Sequence, residues 1–139
     1  WYGGKIALAE GLVNIRFLQE DIYLIGRFFA PGEVDTLWIT FPDPFPKNAH
    51  ARRRMTAPHF LEAYRSILRP GGPLHFKTDN VDLFAFSLET LAAAGAHLGY
   101  CTHDLHSTTD APPEAYILTA YERRFMAEGL NIHYLWATL

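Results

Sequence analysis

The run Phe41-Pro42-Asp43-Pro44-Phe45-Pro46-Lys47 restricts this chain more than any other stretch. Its prolines fix φ and push the residue before each of them toward extended geometry. Phe41, Asp43 and Phe45 are therefore expected to be extended, and the segment to be a stiff loop, neither helix nor central strand. It directly follows Asp35 to Phe41, an apolar, β-branched and aromatic run that reads as a buried strand. Asp43 then stands just beyond the end of that strand. Regular capping is denied to it by the prolines on both sides, which points to a positioned acid, with an exposed proline-rich turn as the plainer alternative.

Downstream of Asp43 the charge is one-sided. Residues 44 to 61 contain no acid, yet Lys47, Arg52, Arg53 and Arg54 all fall there, with His50 among them. Cations without local partners suit phosphates, and arginine binds them in bidentate fashion; a solvated face is the alternative reading. The net charge of −3 excludes a protein that is basic throughout, so any nucleic-acid contact must rest on this patch. With 139 residues, 49% of them hydrophobic, the chain fits a single domain spanning residues 1–139 with a packed core. The lone Cys101 rules out an internal disulfide, and there is no signal-peptide pattern and no apolar run of about 18 residues. A soluble cytoplasmic protein, not membrane-bound, is expected. Trp1 is no initiator methionine and the stretch to Gly11 resembles a helix entered part-way, so the chain is expected to be a fragment.

Strands and helices alternate along the chain. Lys5 to Glu10 reads as a helix ending at Gly11, Asn14 to Gln19 as a strand ending at Glu20-Asp21, and Ile22 to Phe29 as a short helical segment closed by Pro31-Gly32. After the basic patch, Thr56 is placed to cap a helix with Pro58 in its first turn and Phe60, Leu61, Tyr64, Ile67 and Leu68 on one face. Leu74 to Lys77 reads as the next strand. Thr78-Asp79-Asn80 leads into a helix with Val81, Phe84, Leu88 and Leu91 on its stripe, and a further strand lies around Leu98 to Cys101. Residues 102–115 are expected to be a surface loop, Ala120 to Glu128 a short helix and Ile132 to Thr138 a closing strand. This pattern implies an α/β domain with a largely parallel sheet, whose ligands sit beyond the carboxyl ends of the strands. Asp21, Asp43 and Asp79 each close a predicted strand and are expected to meet there.

Each candidate has two readings. Asp21 either accepts from an exocyclic amino group such as that of adenine or caps the segment from Ile22. Asp79 either starts the following helix or faces the cleft. Thr119-Ala120-Tyr121-Glu122 is a formal capping box, which does not exclude ligand binding. Cys101, His103, Asp104 and His106 are crowded, but not at the spacing of a zinc motif, and no metal is assigned.

Taken together, Phe41 to Lys47, His50 and Arg53-Arg54 resemble the signature of the tRNA (guanine-N7-)-methyltransferase family, bacterial type. His75 to Asn80, Asp104-Leu105-His106 and Thr119 to Glu122 with Phe125 and Gly129 are similar to its later blocks. Phe45 stands where the family has tryptophan, and Ala49 where it has arginine. The resemblance implies the Rossmann-like class I sheet of S-adenosylmethionine-dependent enzymes. It also implies methyl transfer to N7 of a variable-loop guanine in tRNA, with the glycine-rich cofactor turn expected upstream of residue 1. It places Asp21 at the cofactor, makes Asp43 both cofactor-proximal and catalytic, and assigns Lys47, Asp79, Thr119 and Glu122 to the substrate. Arg52, Arg53 and Arg54 are then expected on the RNA backbone. Monomer and homodimer both stay open. Two rivals are a non-catalytic RNA-binding protein of this fold and a metal-dependent hydrolase using His103 and His106.

Overall fold

The computed structural model describes residues 2–139. Four strands, β1 (Leu37–Thr40), β2 (Pro73–Thr78), β3 (His97–Thr102) and β4 (His133–Thr138), form one sheet in the order β1-β2-β4-β3. The helices are α1 (Tyr2–Ala9), α2 (Pro58–Ile67), α3 (Val81–Ala93) and α4 (Ala120–Ala127), supplemented by short 3-10 turns.

Side chains alternate across the sheet, as the period of two requires. Ile39, Leu74, Phe76, Leu135 and Ala137 face α2 and α3, where Phe60, Leu61, Tyr64, Leu83, Phe84 and Leu91 complete the main core. Full burial of a side chain such as Leu61 contributes about 1.5–3 kcal/mol. On the opposite face Trp38, Tyr134 and Trp136 meet Leu105, Ala111, Ala115 and Ile132 in a second cluster. Residues 102–115 are thus more than a surface loop: Leu105 and Ala115, from the 3-10 turns Leu105–Ser107 and Pro113–Tyr116, and Ala111 between them are buried against the sheet.

β1, β2 and β3 run in the same direction, as expected of a largely parallel sheet; β4 alone is reversed, antiparallel to both β2 and β3. The cause lies in the connection. After β3 the chain does not cross back over the sheet but stays at the end where β2 stops, and the Leu105 N–H donates to the Ile132 carbonyl at 2.8 Å. β4 must then start from that end. A correction concerns Asn14 to Gln19, which forms no strand: these residues are exposed and pair with no described strand. A strand-like sequence needs a neighbour's ladder to become a strand.

Two helix starts also differ in detail. Ala57 is the N-cap of α2, while the Thr56 hydroxyl is buried against Ser87 Oγ at 2.7 Å. Asn80, not Asp79, caps α3 by accepting from the Leu83 N–H at 2.8 Å, and this phase turns Val81 outward and Leu83 inward.

On the second face His75 is buried, stacks on Trp38 at 4.0 Å and shares a 2.8 Å hydrogen bond between Nδ1 and the Tyr134 hydroxyl. Burial holds its imidazole below the ordinary value, with Glu114 acting weakly in the opposite sense. Because the folded form binds its proton less readily, this stability is present above the unfolded pKa of about 6.5 and is lost as pH falls below it. Urea unfolding of His75→Gln is expected to give a flatter pH dependence between about pH 5 and 7 than the parent chain. Parallel curves would mean that His75 titrates alike in both states.

Candidate active site

The Asp43 loop leaves β1 under backbone strain. Phe41 (φ 51) and Phe45 (φ 43) both lie in the left-handed region, which overturns the extended geometry expected for them. Each such residue costs about 1–3 kcal/mol and persists only where its surroundings hold it. Phe41 is held by its N–H, which donates to the Lys77 carbonyl at 2.8 Å, and by its ring against Phe125 at 5.5 Å. Asp43 itself is exposed, and among the described residues its carboxylate has no hydrogen-bond partner.

Along the outer edge of β1, from Leu37 to Thr40 and on to Asp43, lies a cavity of about 630 Å³, within the range of small-ligand sites. Asp21 and Asp43 both line it, as do Tyr23, Arg53, Met55, Phe60 and Tyr64. Asp21 also caps the Ile22–Arg27 turn by accepting from the Tyr23 N–H at 3.0 Å, so capping and cavity lining coexist. Tyr23, not singled out by the sequence motifs, presents a ring that is 56% exposed and stacks on His59 at 5.0 Å and 4°. An aromatic residue two positions after a capping acid was the available signal. A second cavity of about 380 Å³ is lined by Trp38, Thr40, Lys77, Glu114, Ile117 and Thr119. The two cavities share Trp38 and Thr40, so they adjoin at β1.

The capping box forms as its pattern implies: Thr119 Oγ1 accepts from the Glu122 N–H at 3.1 Å, and the Glu122 carboxylate accepts from the Thr119 N–H at 3.2 Å. Glu122, expected at the substrate, is instead fully buried. Its Oε1 meets Lys77 Nζ at 3.0 Å and His106 Nε2 at 2.9 Å, and its Oε2 meets Lys77 Nζ at 2.9 Å. Lys77, 1% exposed, also donates to the Ile117 carbonyl at 3.2 Å. A buried carboxylate is tolerable only with this many partners. Glu122 therefore docks α4 onto the end of β2, while Thr119 alone of the pair borders a cavity.

Asp79 follows the end of β2 and is half-buried, but it does not line the cavity that Asp21 and Asp43 share. Only two of the three acids converge. The geometric reason is that Asn80 takes the cap of α3, leaving the Asp79 carboxylate beside the start of β4. There it raises the affinity of His133 for a proton, although burial and His103 prevail and hold that imidazole low. The polar loop disperses its metal-like residues: His106 goes to Glu122, His103 packs on His133 at 5.4 Å, and Cys101 is exposed. Among the described residues no group of three or more His, Cys, Asp or Glu is arranged to hold a metal ion.

Lys47, Arg52 and Arg53 are exposed and, among the described residues, make no ion pair or hydrogen bond through their side chains. Arg53 lies over the Phe45 ring at 5.9 Å. Arg54, expected beside them on the RNA backbone, is 7% exposed and turned inward. It donates from Nε to the Pro44 carbonyl at 3.2 Å and from Nη2 to the Phe45 carbonyl at 3.1 Å, and its guanidinium lies 4.5 Å from the Phe86 ring centre. The accessible patch is therefore Lys47, Arg52 and Arg53.

This sheet, with its cavity along β1, has the Rossmann-like fold of methyltransferases. It is similar to a SAM dependent methyltransferase from Aquifex aeolicus, with TM-score 0.61 and 13% identity over 98% of this chain and 61% of that one. It is also similar to the geranyl diphosphate C-methyltransferase of Streptomyces coelicolor, with TM-score 0.57 and 12% identity over 99% and 59% of the two chains. Residues 4–135 match the model of the family described as "Putative methyltransferase", and the chain belongs to that family. Its relatives include the tRNA (guanine-N(7)-)-methyltransferases of Halalkalibacterium halodurans, 43% identical over 88% of this chain, and Lactococcus lactis, 40% identical over 94%. The chain spans 54% and 60% of the length of these two relatives.

Proposed function

We propose that this chain carries the catalytic end of an S-adenosylmethionine-dependent methyltransferase that methylates N7 of a variable-loop guanine in tRNA. The observation that carries the reading is the pair of adjoining cavities that share Thr40, one holding Asp21 and Asp43 and the other bordered by Thr119. The names of the relatives at about 40% identity support the same assignment.

The first cavity fits the cofactor's adenine and sulfonium. The Asp21 carboxylate can accept from an exocyclic amino group, the Tyr23 ring offers a stacking face, and Asp43 puts a negative charge in the same space. No glycine among the described residues lines this cavity, so these residues offer no close-approach cradle for the methionine and ribose parts of the cofactor. When bound, S-adenosylmethionine supplies the electrophilic methyl group.

Guanine N7 bears an in-plane lone pair and no proton, so the chain needs no strong general base. Its work is positioning and electrostatics. Asp43 is placed to stabilise positive charge passing from sulfonium to purine, and Thr119, which borders the second cavity, to engage the guanine or its ribose; Asp79 lines neither cavity and is given no role. Glu122 keeps Thr119 at the rim. Lys47, Arg52 and Arg53 hold the RNA backbone. N7 is hard to reach in a paired A-form helix, so the target is an accessible or extruded base. No described helix is long and apolar enough to cross a membrane, and a tRNA substrate supports a cytoplasmic location.

The direct test is nucleoside mass spectrometry of tRNA incubated with the full-length protein and S-adenosylmethionine. 7-Methylguanosine is expected, and its absence with active controls would refute the assignment. For the patch, replacing Lys47, Arg52 and Arg53 by alanine is expected to weaken tRNA binding and to flatten the slope of log K against log salt by roughly 0.7–0.9 for each phosphate no longer neutralised. An unchanged slope makes the three cations a solvated face.

A further inference from the structure

We propose that Arg54 is a positioning residue for Asp43, clasping the carbonyl oxygens of Pro44 and Phe45 and tying them to α3 through Phe86. This rests on the reading of Asp43 as the residue at the reacting methyl group.

Asp43 is an exposed carboxylate with no side-chain partner among the described residues, so its place opposite Asp21 depends wholly on its backbone. That backbone is bracketed by two left-handed phenylalanines, which relax unless tethered. Upstream, the tether is the Phe41 N–H on the Lys77 carbonyl, an extension of the ladder to β2. Downstream no strand is available. The tether there is Arg54, whose Nε and Nη2 reach the two successive carbonyls directly after Asp43 at 3.2 and 3.1 Å.

The geometry requires arginine. A planar guanidinium offers several donors in a rigid fork and a face for stacking, whereas a lysine ammonium is a point charge on a flexible stem. Both features are used, the fork on the loop and the face on Phe86, 4.5 Å away. Burial separates Arg54 from its neighbours: Arg52 and Arg53 are exposed, while Arg54 is 7% exposed and turned away from any RNA on that surface. Thr56 and Ser87, joined at 2.7 Å, hold the following residues to α3 as well, so the anchor itself is fixed.

The test compares Arg54→Met, Arg54→Lys and Asp43→Asn in the full-length protein, measuring kcat at saturating tRNA, the tRNA Kd and its salt slope. Arg54→Met is expected to lower kcat by roughly 10²-fold, the scale of an approximately 1 Å misplacement, with Kd and salt slope as in the parent. Arg54→Lys, which keeps the charge and loses the fork, is expected to fall between the two. A parental kcat in Arg54→Met, or a reduced salt slope with normal kcat, overturns the proposal and returns Arg54 to the RNA-binding patch. If Arg54→Met does not fold, Phe86→Leu loosens the same clasp from the α3 side, and a kcat equal to the parent's overturns it equally. Full turnover in Asp43→Asn overturns the clasp together with the role of Asp43. An inactive Asp43→Asn beside a fully active Arg54→Met overturns the clasp alone.

Discussion

Asp43→Ala in the full-length protein is expected to lower methyl transfer to tRNA by roughly 10³-fold, the upper range for loss of one preorganised electrostatic group, with tRNA affinity unchanged. The asymmetry follows from position. Asp43 lines the cavity with Asp21, whereas of the exposed cations Lys47 and Arg52 lie outside it and only Arg53 reaches its wall. A carboxylate is useful at this point because positive charge must move from sulfur to purine, and a fixed negative charge lowers the barrier without exchanging a proton. Asp43→Asn keeps the size and removes the charge, so it should approach the alanine variant; if it kept most of the rate, hydrogen bonding and not charge would be the residue's contribution. An intact rate in Asp43→Ala would remove Asp43 from the reaction.

Lys77→Met is expected to cost about 3–5 kcal/mol of stability, because it leaves the Glu122 carboxylate buried without its cation. Neither partner of this ion pair is appreciably exposed: Lys77 is at 1% and Glu122 at 0%. The remaining contacts of Glu122 are the Thr119 N–H and His106 Nε2. The double variant Lys77→Met with Glu122→Gln should regain most of the loss, since glutamine retains the capping-box bond and no charge stays buried. Urea denaturation measures both. A single-variant loss below about 1 kcal/mol would resemble an exposed pair and would show that water reaches the site. Because the pair docks α4 at the end of β2, the same substitution is expected to disorder Thr119 at the second cavity and to reduce turnover with it.

Much of the local structure around the candidate site was legible because its signals are local. Three prolines around one acid announce a held carboxylate whatever the rest of the chain does, and a Thr-x-x-Glu pattern closes on itself as a capping box. The strands β1, β2, β3 and β4 were likewise readable from runs of β-branched, aromatic and apolar residues. Where the structure departs from those signals, a distant group decided. Asn14 to Gln19 has strand character but no ladder to join, and the left-handed turns at Phe41 and Phe45 answer to β2 and Arg54, not to the prolines beside them.

The sequence by itself determined the α/β character of the chain, the stiff loop that presents Asp43, and a run of cations with no acid among them. Only the tertiary structure decided which of those charges face solvent. Arg52, Arg53 and Arg54 are identical in type and consecutive, yet the third is drawn inward by two carbonyls and an aromatic ring that belong to other segments. Glu122, which its pattern marks as a helix cap, becomes a buried counter-ion because Lys77 arrives from β2. A charged side chain enters the interior only where partners remote in sequence meet it, and that meeting is a property of the fold.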